Sequence, residues 1–264
     1  MDPAVLRDDM VASLEHETKA LVRSDDVSQA LRTVPRHEFV PADADRGAYL
    51  DQSFDHRGTR VLSPSTVAKL LEALDVEDDD SVLVVGAGVG YTPAVLAAMV
   101  GERNVHAVDI TRTVVYDARR NLESAGYGGV FVDCRDGADG LPEYAPFDRI
   151  LVEAAAVEPP RTLVKQLTSD GRLVMPLGGR EQRLAAVERE TPNDVESSSD
   201  AGVAPDARVV ERFGSVAFAP LLVEGEQSGA IERNRTARED REYAERHAQT
   251  RRGWEHEWID WDGR

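Results

Sequence analysis

The chain has 264 residues, 41% of them hydrophobic, with 49 acidic and 31 basic side chains and a formal net charge of -18 at pH 7. That length allows one large domain with a substantial core, and no apolar run approaches the roughly 20 residues of a membrane span. The acidic balance leaves no basic stripe to neutralise phosphates, so we expect neither nucleic acid nor a membrane as a partner.

Cationic side chains are almost all arginines, since lysine occurs only at Lys19, Lys69 and Lys165, and acidic runs such as residues 77–80 recur. This pattern predicts a halophilic surface adapted to high salt; the alternative is simply an acidic protein. The N-terminus, MDPAVLRDDM, does not read as a signal peptide, so we expect a cytoplasmic location. A lone Cys134 excludes an intramolecular disulfide and a cysteine-built zinc site, and we expect no metal.

The first part of the chain, residues 1–75, is predicted to be largely helical. Residues 4–24 carry apolar side chains with helical spacing, and a second helix fits Asp26–Thr33. Two prolines, Pro35 and Pro41, then favour extended backbone. A third helix is predicted over Ser65–Leu74.

Strands and helices alternate in the next part, residues 76–222. Predicted strands are Leu83–Val85, Val105–Val108, Gly129–Val132, Arg149–Val152, Leu173–Pro176, Leu184–Arg189, Arg208–Val210 and Val216–Ala219. Predicted helices are Pro93–Val100, Val114–Ala125 and Arg161–Leu167. The alternation indicates an α/β fold: a Rossmann-like, doubly wound, mainly parallel sheet with an N-terminal helical cap and a C-terminal helical tail.

Two segments are predicted to be peripheral. Residues 191–207 are rich in Ser and Asp and indicate a flexible acidic loop between two late strands. In the tail, residues 223–264, the Arg/Glu run 230–252 favours a solvated helix. Beyond it Trp254, Trp258 and Trp261 would share one helical face, which could dock on the body of the protein or on a second subunit.

The most informative stretch is a glycine loop between a predicted strand and a predicted helix. Gly86, Gly88 and Gly90 follow the apolar run of residues 82–85. Glycines let the backbone approach a ligand closely, and the following helix N-terminus offers free N–H groups. The spacing is G-x-G-x-G rather than the G-x-G-x-x-G of dinucleotide enzymes, which favours an adenosyl ligand without a pyrophosphate, above all S-adenosylmethionine.

Two acidic positions follow the next two predicted strands. Asp109 lies 19 residues beyond Gly90 and could accept hydrogen bonds from both ribose hydroxyls; alternatively it caps the following helix. Asp136-Gly137 could receive the adenine amino group, or could form a plain turn. Because the carboxyl ends of parallel strands meet at one edge, these loops are expected to share a crevice.

Several further segments form a recognisable set: VPRHEFVP at 34–41 followed by Ala48-Tyr49, DGADGLP at 136–142, APFDRI at 145–150, AAA at 154–156, GRLVMPLG at 171–178 and VAFAPL at 216–221. Through them the chain resembles the protein-L-isoaspartate O-methyltransferase family over roughly residues 10–222. The resemblance implies S-adenosylmethionine-dependent methylation of the side carboxylate of L-isoaspartyl residues in damaged proteins or peptides, a repair activity. A carboxylate is already ionised at neutral pH, so this chemistry needs no general base.

The resemblance also implies roles for individual residues and places the substrate on the side of residues 1–75. The implied cofactor-binding residues are Gly86, Ala87, Gly88, Gly90, Tyr91, Asp109, Ile110, Asp136 and Gly137. The implied substrate-binding residues are Arg60, Val61, Leu62, Ala154 and Ala155. The protein would act as a monomer or as a homodimer formed through its tail.

The substrate loop departs from the family pattern, which runs approximately G-Q-T-I-S-x-P. Here residues 58–64 read GTRVLSP, which puts Arg60 on the family's threonine and Leu62 on its serine. A shift of one residue would let Ser63 serve as the catalytic hydroxyl, or Ser63 could be a helix cap before Pro64. Two alternatives therefore stay open: a methyltransferase for a different carboxylate or protein, and a non-catalytic S-adenosylmethionine-binding module. A nicotinamide dehydrogenase does not suit the loop spacing.

Overall fold

The architecture is that of a computed structural model, which describes residues 2–189 and 207–221. Helices α1 to α6 span Pro3–Glu15, Asp25–Thr33, Pro64–Leu74, Tyr91–Val100, Arg112–Ser124 and Arg161–Lys165. Strands β1 to β9 span Phe54–His56, Thr59–Val61, Val82–Val85, Val105–Asp109, Phe131–Cys134, Phe147–Val152, Leu167–Leu177, Gln182–Arg189 and Ala207–Val216. Short 3-10 helices occupy Arg36–Phe39, Ala42–Gly47 and Glu102–Asn104.

Seven of these strands form one sheet in the order β5-β4-β3-β6-β7-β8-β9, and β1 pairs with β2 in a separate hairpin. Strands β5, β4, β3, β6 and β7 are mutually parallel, whereas β8 and β9 are added antiparallel. The α/β, mainly parallel prediction is therefore confirmed. The chain leaves β3 in one direction for β4 and β5 and returns on its other side as β6, so the strand order reverses beside β3.

The central strand shows why this sheet is buried on both faces. All four residues of β3 are buried: Val82 and Val84 belong to one apolar cluster, and Leu83 and Val85 belong to the other. Helices on both sides cover these clusters, which is the reason that β3 reads as a continuous apolar run rather than an alternating one. Such a strand is a rigid base for the loop that follows it.

The N-terminal helices pack on this sheet as a cap. Ser24 is the N-cap of α2, and its side chain accepts a hydrogen bond from the Val27 N–H. Acidic residues in the first turn of α2 interact favourably with the positive end of the helix dipole. At the C-terminal end of α3, two backbone carbonyls accept hydrogen bonds from arginines of the sheet. Arg172 Nη1 donates to Ala73 O at 2.9 Å, and Arg149 Nε donates to Asp75 O at 2.8 Å.

Two predicted helices are longer than the observed ones. The helix predicted over residues 4–24 ends at Glu15, because Glu17 and Thr18 are polar and exposed where the helix would need apolar contacts after Leu14. The helix predicted over Arg161–Leu167 ends at Lys165, because Leu167 already begins β7 beside Phe147. The helices predicted near residues 26–33, 65–74, 93–100 and 114–125 are confirmed within a few residues.

Among the strands, the prediction was wrong at the end of the sheet and missed the hairpin. Arg208–Val210 and Val216–Ala219 were expected as two strands, but β9 runs unbroken to Val216, and residues 217–219 lie outside it. Exposed polar residues such as Glu211 and Arg212 interrupt its apolar pattern because β9 is an edge strand. The third predicted strand, Gly129–Val132, begins two residues later, at Phe131. The hairpin β1–β2 carries no strong apolar alternation and was not predicted.

Several predictions concern residues outside the described ranges. They are the acidic loop 191–207, of which only Ala207 is described, the charged run 230–252, and the helical tail 223–264 with Trp254, Trp258 and Trp261. Within the described part of the chain, no helix is both long and apolar enough to traverse a bilayer.

Candidate functional site

The glycine loop leaves the carboxyl end of β3 and leads into α4. Gly86, Gly88 and Gly90 have φ values of +94°, +52° and +92°, a backbone region that favours glycine. The Gly86 and Ala87 N–H groups both donate to Val108 O of β4, at 2.8 and 2.9 Å. The loop is therefore fastened to the neighbouring strand, and most of it is buried, with Gly86 half-buried at its start.

The space around the loop's glycines differs from one glycine to the next. A Cβ atom at Gly90 would lie 3.1 Å from Leu122 and 3.2 Å from Ala118 O, so glycine there allows α4 and α5 to pack closely. At Gly88 the nearest atoms, including Thr59 Oγ1, would be 4.0 Å away. Gly88 is buried, but it has room for an additional atom beside it, on the side of the hairpin.

Asp109 ends β4 and braces the loop. Its Oδ2 accepts from the Gly88 N–H at 3.1 Å, and its Oδ1 accepts from the Thr111 N–H at 2.9 Å, beside the start of α5. Burial raises the pKa of the Asp109 carboxyl, and the two N–H donors act in the opposite direction. The helix-capping alternative is not what the structure has: the N-cap of α5 is Thr111, with no side-chain cap bond, and Asp109 holds the turn that precedes it. Each oxygen also keeps lone-pair capacity for a ligand hydroxyl.

The loop after β5 closes over the end of β3. Gly137 lies so close to Val85 that a Cβ atom would come within 2.4 Å of Val85 Cγ1, so only glycine fits there. Asp136 Oδ1 accepts from the Ala138 N–H at 2.8 Å, as the turn alternative expects. The Arg135 N–H donates to Asp109 O at 3.1 Å, which joins this loop to the preceding one. Ile110 is half-buried, and its carbonyl accepts from Cys134 Sγ at 3.8 Å.

Beyond β6, on the opposite side of β3, the chain continues into Glu153, Ala154 and Ala155. The Glu153 N–H donates to Val85 O at 2.8 Å, and a Cβ atom at Gly86 would lie 3.4 Å from Glu153 Cβ. Ala155 pairs with Pro220 in an isolated parallel bridge. The glycine loop and Glu153 therefore flank the point at which the strand order reverses, where sheets of this class bind ligands.

The predicted substrate residues lie along β2 and the turn that follows it. Arg60 is 58% exposed, and its Nε lies 3.6 Å from Asp55 Oδ1 across the hairpin. Val61 is buried in the core, so it could offer a substrate only its backbone. Leu62 is half-buried, and its carbonyl accepts from Arg36.

Ser63 serves as the N-cap of α3. Its Oγ accepts from the Thr66 N–H at 3.3 Å and lies 2.9 Å from Thr66 Oγ1. This is the helix-cap alternative considered for Ser63, and a hydroxyl held in this way is committed to the helix. A catalytic role for Ser63 stays a prediction that the geometry does not favour.

Arg36 links the predicted substrate residues of the segment 60–64 to the first turn of α4, which follows the glycine loop. Its side chain is fully buried; Nε donates to Ala48 O at 2.8 Å and Nη2 donates to Leu62 O at 2.6 Å. Its guanidinium carbon stacks 4.7 Å from the centre of the Tyr91 ring, in the first turn of α4. Burial raises the pKa of Tyr91 to about 12, so its phenol stays protonated. Tyr91, predicted to bind the cofactor, is therefore a buried residue that contacts Arg36 through its ring.

The hairpin is also clamped to α5. Asp117, buried on α5, accepts from His56 Nε2 at 2.8 Å and pairs with Arg57 Nε at 2.9 Å. The hairpin turn is thereby held beside the helix that follows Asp109. Thr59, the first residue of β2, is the hairpin side chain nearest to Gly88.

Three of these residues were missed as functional candidates. Glu153 directly follows a predicted strand, the same signal that identified Asp109, and Thr59 lies inside the quoted segment 58–64. Arg36 lies within the segment 34–41, which supported the resemblance without suggesting a role. Within residues 2–189 and 207–221, no cluster of three or more His, Cys, Asp or Glu side chains could hold a metal ion.

Comparison with protein families identifies one match. Residues 7–204 match the model described as Protein-L-isoaspartate(D-aspartate) O-methyltransferase (PCMT). A protein-L-isoaspartate O-methyltransferase from Roseiflexus castenholzii is 39% identical over 197 residues, covering 74% of this chain and 84% of that protein. One from Aeropyrum pernix is 40% identical over 209 residues, covering 77% of this chain and 75% of the relative.

Solved structures agree on the fold. A structure titled protein-L-isoaspartate O-methyltransferase superposes with a TM-score of 0.67 at 24% identity, covering 94% of this chain and 71% of that one. A protein of the same type from Plasmodium falciparum, in complex with S-adenosyl-L-homocysteine, also has a TM-score of 0.67, at 19% identity, covering 81% and 97% of the two chains. At these identities the structures establish the shared architecture.

Proposed function

Because this chain belongs to the protein-L-isoaspartate O-methyltransferase family, we propose that it transfers the methyl group of S-adenosylmethionine to the side-chain carboxylate of L-isoaspartyl residues in damaged proteins. The observation that carries the proposal is the convergence of three loops, after β3, β4 and β5, on one edge of the sheet. Val108 O binds the first loop, and Asp109 binds both the first and the third.

The residues at this edge fit an adenosyl ligand with a cationic amino-acid end. Gly88 has room for an additional atom beside it, and Asp109 keeps acceptor capacity for ribose hydroxyls. Glu153 Oε1 is buried without a hydrogen-bond partner. Gly86, Ala87, Gly88 and Gly90 would hold the ligand by backbone approach, and Ile110, Asp136 and Gly137 would line its adenine side.

Catalysis in this proposal is positioning. Bound S-adenosylmethionine supplies an electrophilic methyl group on a sulfonium. The isoaspartyl carboxylate is ionised at neutral pH, so no residue of this chain has to remove a proton. The hairpin and the segment 60–64, held by Arg36 and Asp117, would present the carboxylate in line with the methyl–sulfur bond. Alignment of this kind can lower a barrier by about 7–11 kcal/mol.

The direct test uses two matched peptides that differ only in an L-isoaspartyl or an L-aspartyl residue. With purified protein in high salt and labelled S-adenosylmethionine, we expect methyl incorporation into the isoaspartyl peptide alone. Equal incorporation into both peptides, or none into either, would refute the repair activity.

A second candidate, a methyltransferase for a different carboxylate, is favoured by Arg60 and Leu62. These residues stand where the family pattern has hydroxyl side chains, and Arg60 is exposed on the hairpin. An Arg60 ion pair would hold a carboxylate but reduce its nucleophilicity.

The double variant Arg60→Thr, Leu62→Ser tests this alternative. If the altered loop limits isoaspartyl activity, restoring the hydroxyls should raise kcat/KM for the isoaspartyl peptide about 10-fold, a transition-state gain of about 1.4 kcal/mol. The matched control is Arg103→Thr, which removes an exposed arginine away from the hairpin and the loop. A double variant that is no faster than the parent protein would count against a loop adapted to another substrate.

We also propose a cytoplasmic protein that works without nucleic acid or a membrane, as a monomer or as a homodimer formed through the tail. The net charge of -18 supports the exclusion of nucleic acid. Light scattering of the full chain in high salt, with and without substitution of Trp254, Trp258 and Trp261 by alanine, tests the assembly. A dimer that survives the substitutions would exclude the tail as its interface.

A further inference from the structure

Glu153 is an acidic residue with a buried carboxyl oxygen at the ligand edge of the sheet. Methyl transfer to a carboxylate needs no proton acceptor, so the proposed reaction gives Glu153 no role as a base. We propose that its carboxylate binds the cationic methionyl end of S-adenosylmethionine. This inference rests on the proposed function and adds a binding residue to it. It was not among the residues singled out from the sequence.

The order of the strands places Glu153 at the correct end of the ligand. The adenine side is assigned to the loop after β5 and the ribose to Asp109 at the end of β4. A ligand laid across these carboxyl ends continues over the glycine loop after β3 and reaches β6, the next strand in the order. Glu153 is the first residue beyond β6, and its backbone N–H is bonded to Val85 O, directly before Gly86.

The carboxylate lacks a partner that its burial demands. Oε1 is shielded from solvent and has no hydrogen-bond partner, while the Thr92 hydroxyl of α4 bonds to the carboxylate. A buried charged group without compensation is costly, and a ligand cation would provide the compensation. The residue as a whole is only partly buried, so the site is reachable from the crevice.

The surroundings of Glu153 make its charge state sensitive to a cation. Burial raises the pKa of Glu153 to about 7, with the Thr92 hydroxyl acting against this rise and the Asp109 carboxylate contributing to it. These are the groups that act on it from β4 and α4. A ligand cation beside the carboxylate would lower its pKa, so binding releases a proton and weakens as the pH falls below about 7.

Three ligands separate the parts of this contact. S-adenosylmethionine carries a sulfonium, an α-ammonium and an α-carboxylate, S-adenosylhomocysteine keeps the α-ammonium and the α-carboxylate, and 5′-methylthioadenosine carries none of the three. For Glu153→Gln, we expect calorimetry to show about 10- to 100-fold weaker binding of S-adenosylhomocysteine, the range for a lost bond to a charged group, and unchanged binding of 5′-methylthioadenosine. An equal loss for S-adenosylmethionine assigns the contact to the α-ammonium, and a larger loss assigns it to the sulfonium as well.

The pH dependence gives an independent readout. S-adenosylhomocysteine should bind the parent protein several-fold more weakly at pH 6.0 than at pH 7.5. Its affinity for Glu153→Gln should be the same at both pH values. The matched control is Glu158→Gln, which removes an exposed carboxylate five residues further on and should behave like the parent protein.

The inference is overturned if Glu153→Gln binds S-adenosylhomocysteine like the parent protein, if it loses 5′-methylthioadenosine equally, or if the pH dependence persists in the variant, which would assign that dependence to Asp109. A parent protein that binds none of the three ligands would refute the proposed function, and this inference with it.

Discussion

Replacing Asp109 with alanine is expected to weaken binding of S-adenosylhomocysteine about 100-fold, or about 2.7 kcal/mol. The carboxylate accepts hydrogen bonds from the Gly88 and Thr111 N–H groups at 3.1 and 2.9 Å. Its loss therefore releases the glycine loop and also removes the proposed acceptor for the ribose. Asp109→Asn keeps one acceptor oxygen, but its amide group would face one of the two N–H donors, so an intermediate loss is expected. Calorimetric titration measures both variants.

A ligand lacking the ribose 2′-hydroxyl separates the two roles of Asp109. If Asp109 accepts from the ribose, the parent protein should bind the deoxy analogue of S-adenosylhomocysteine more weakly than the natural ligand, and Asp109→Ala should hardly distinguish them. Equal discrimination in both proteins would show that Asp109 only braces the loop. Asp139→Ala, an exposed site after the same sheet edge, controls for the lost charge.

Replacing Arg36 with methionine is expected to lower the free energy of unfolding by about 3 kcal/mol or more, because two buried carbonyls lose their donors. Methionine would preserve much of the apolar stem and remove the bonds to Ala48 O and Leu62 O. Since Leu62 precedes the cap of α3, activity on isoaspartyl peptides should fall as well. Urea unfolding in high salt provides the measurement.

Arg23→Met is the matched control for this substitution. Arg23 is 68% exposed and makes one charged contact, with Glu72 at 3.4 Å, so its replacement should cost less than about 1 kcal/mol. Arg36→Lys should fall between the two, because an ammonium cannot reproduce the planar fork of a guanidinium. If Arg36→Met were as stable as the control, the carbonyls would have to find other donors, and the anchoring role would be wrong.

The central sheet could be predicted because its signals are local. The apolar residues 82–85 followed by Gly86, Gly88 and Gly90 specify a buried strand and a tight loop within nine residues. Asp109 follows the next apolar run, and a parallel sheet brings the two together. The structure adds which atoms meet: Gly88 N–H and the Asp109 carboxylate.

The substrate side could not be predicted in the same way because long-range contacts define it. Arg36 is 26 residues from Leu62 and 55 from Tyr91, and Asp117 meets His56 across 61 residues. No pattern in one segment specifies such pairings. The hairpin β1–β2 depends on this clamp rather than on apolar alternation. For Glu153 the sequence holds the signal of its place after a strand, and the structure adds the carboxyl oxygen without a hydrogen-bond partner.

The arginine donors at the end of α3 have a consequence for how the protein unfolds. Arg149 of β6 and Arg172 of β7 donate hydrogen bonds to the carbonyls at the C-terminal end of α3. Helix α3 also contacts α1 and α2, the other helices of the N-terminal cap. Opening α3 would take those carbonyls from their donors and leave Arg149 and Arg172 with only their other partners, which include Asp80 and Glu211. Partial opening therefore loses two hydrogen bonds between the helix and the sheet. The cap and the parallel sheet should consequently exchange their amide hydrogens as one cooperative unit. Residues 60–64, the proposed substrate segment, would then be as resistant to proteolysis as the sheet itself, an advantage for an enzyme whose substrates are damaged proteins.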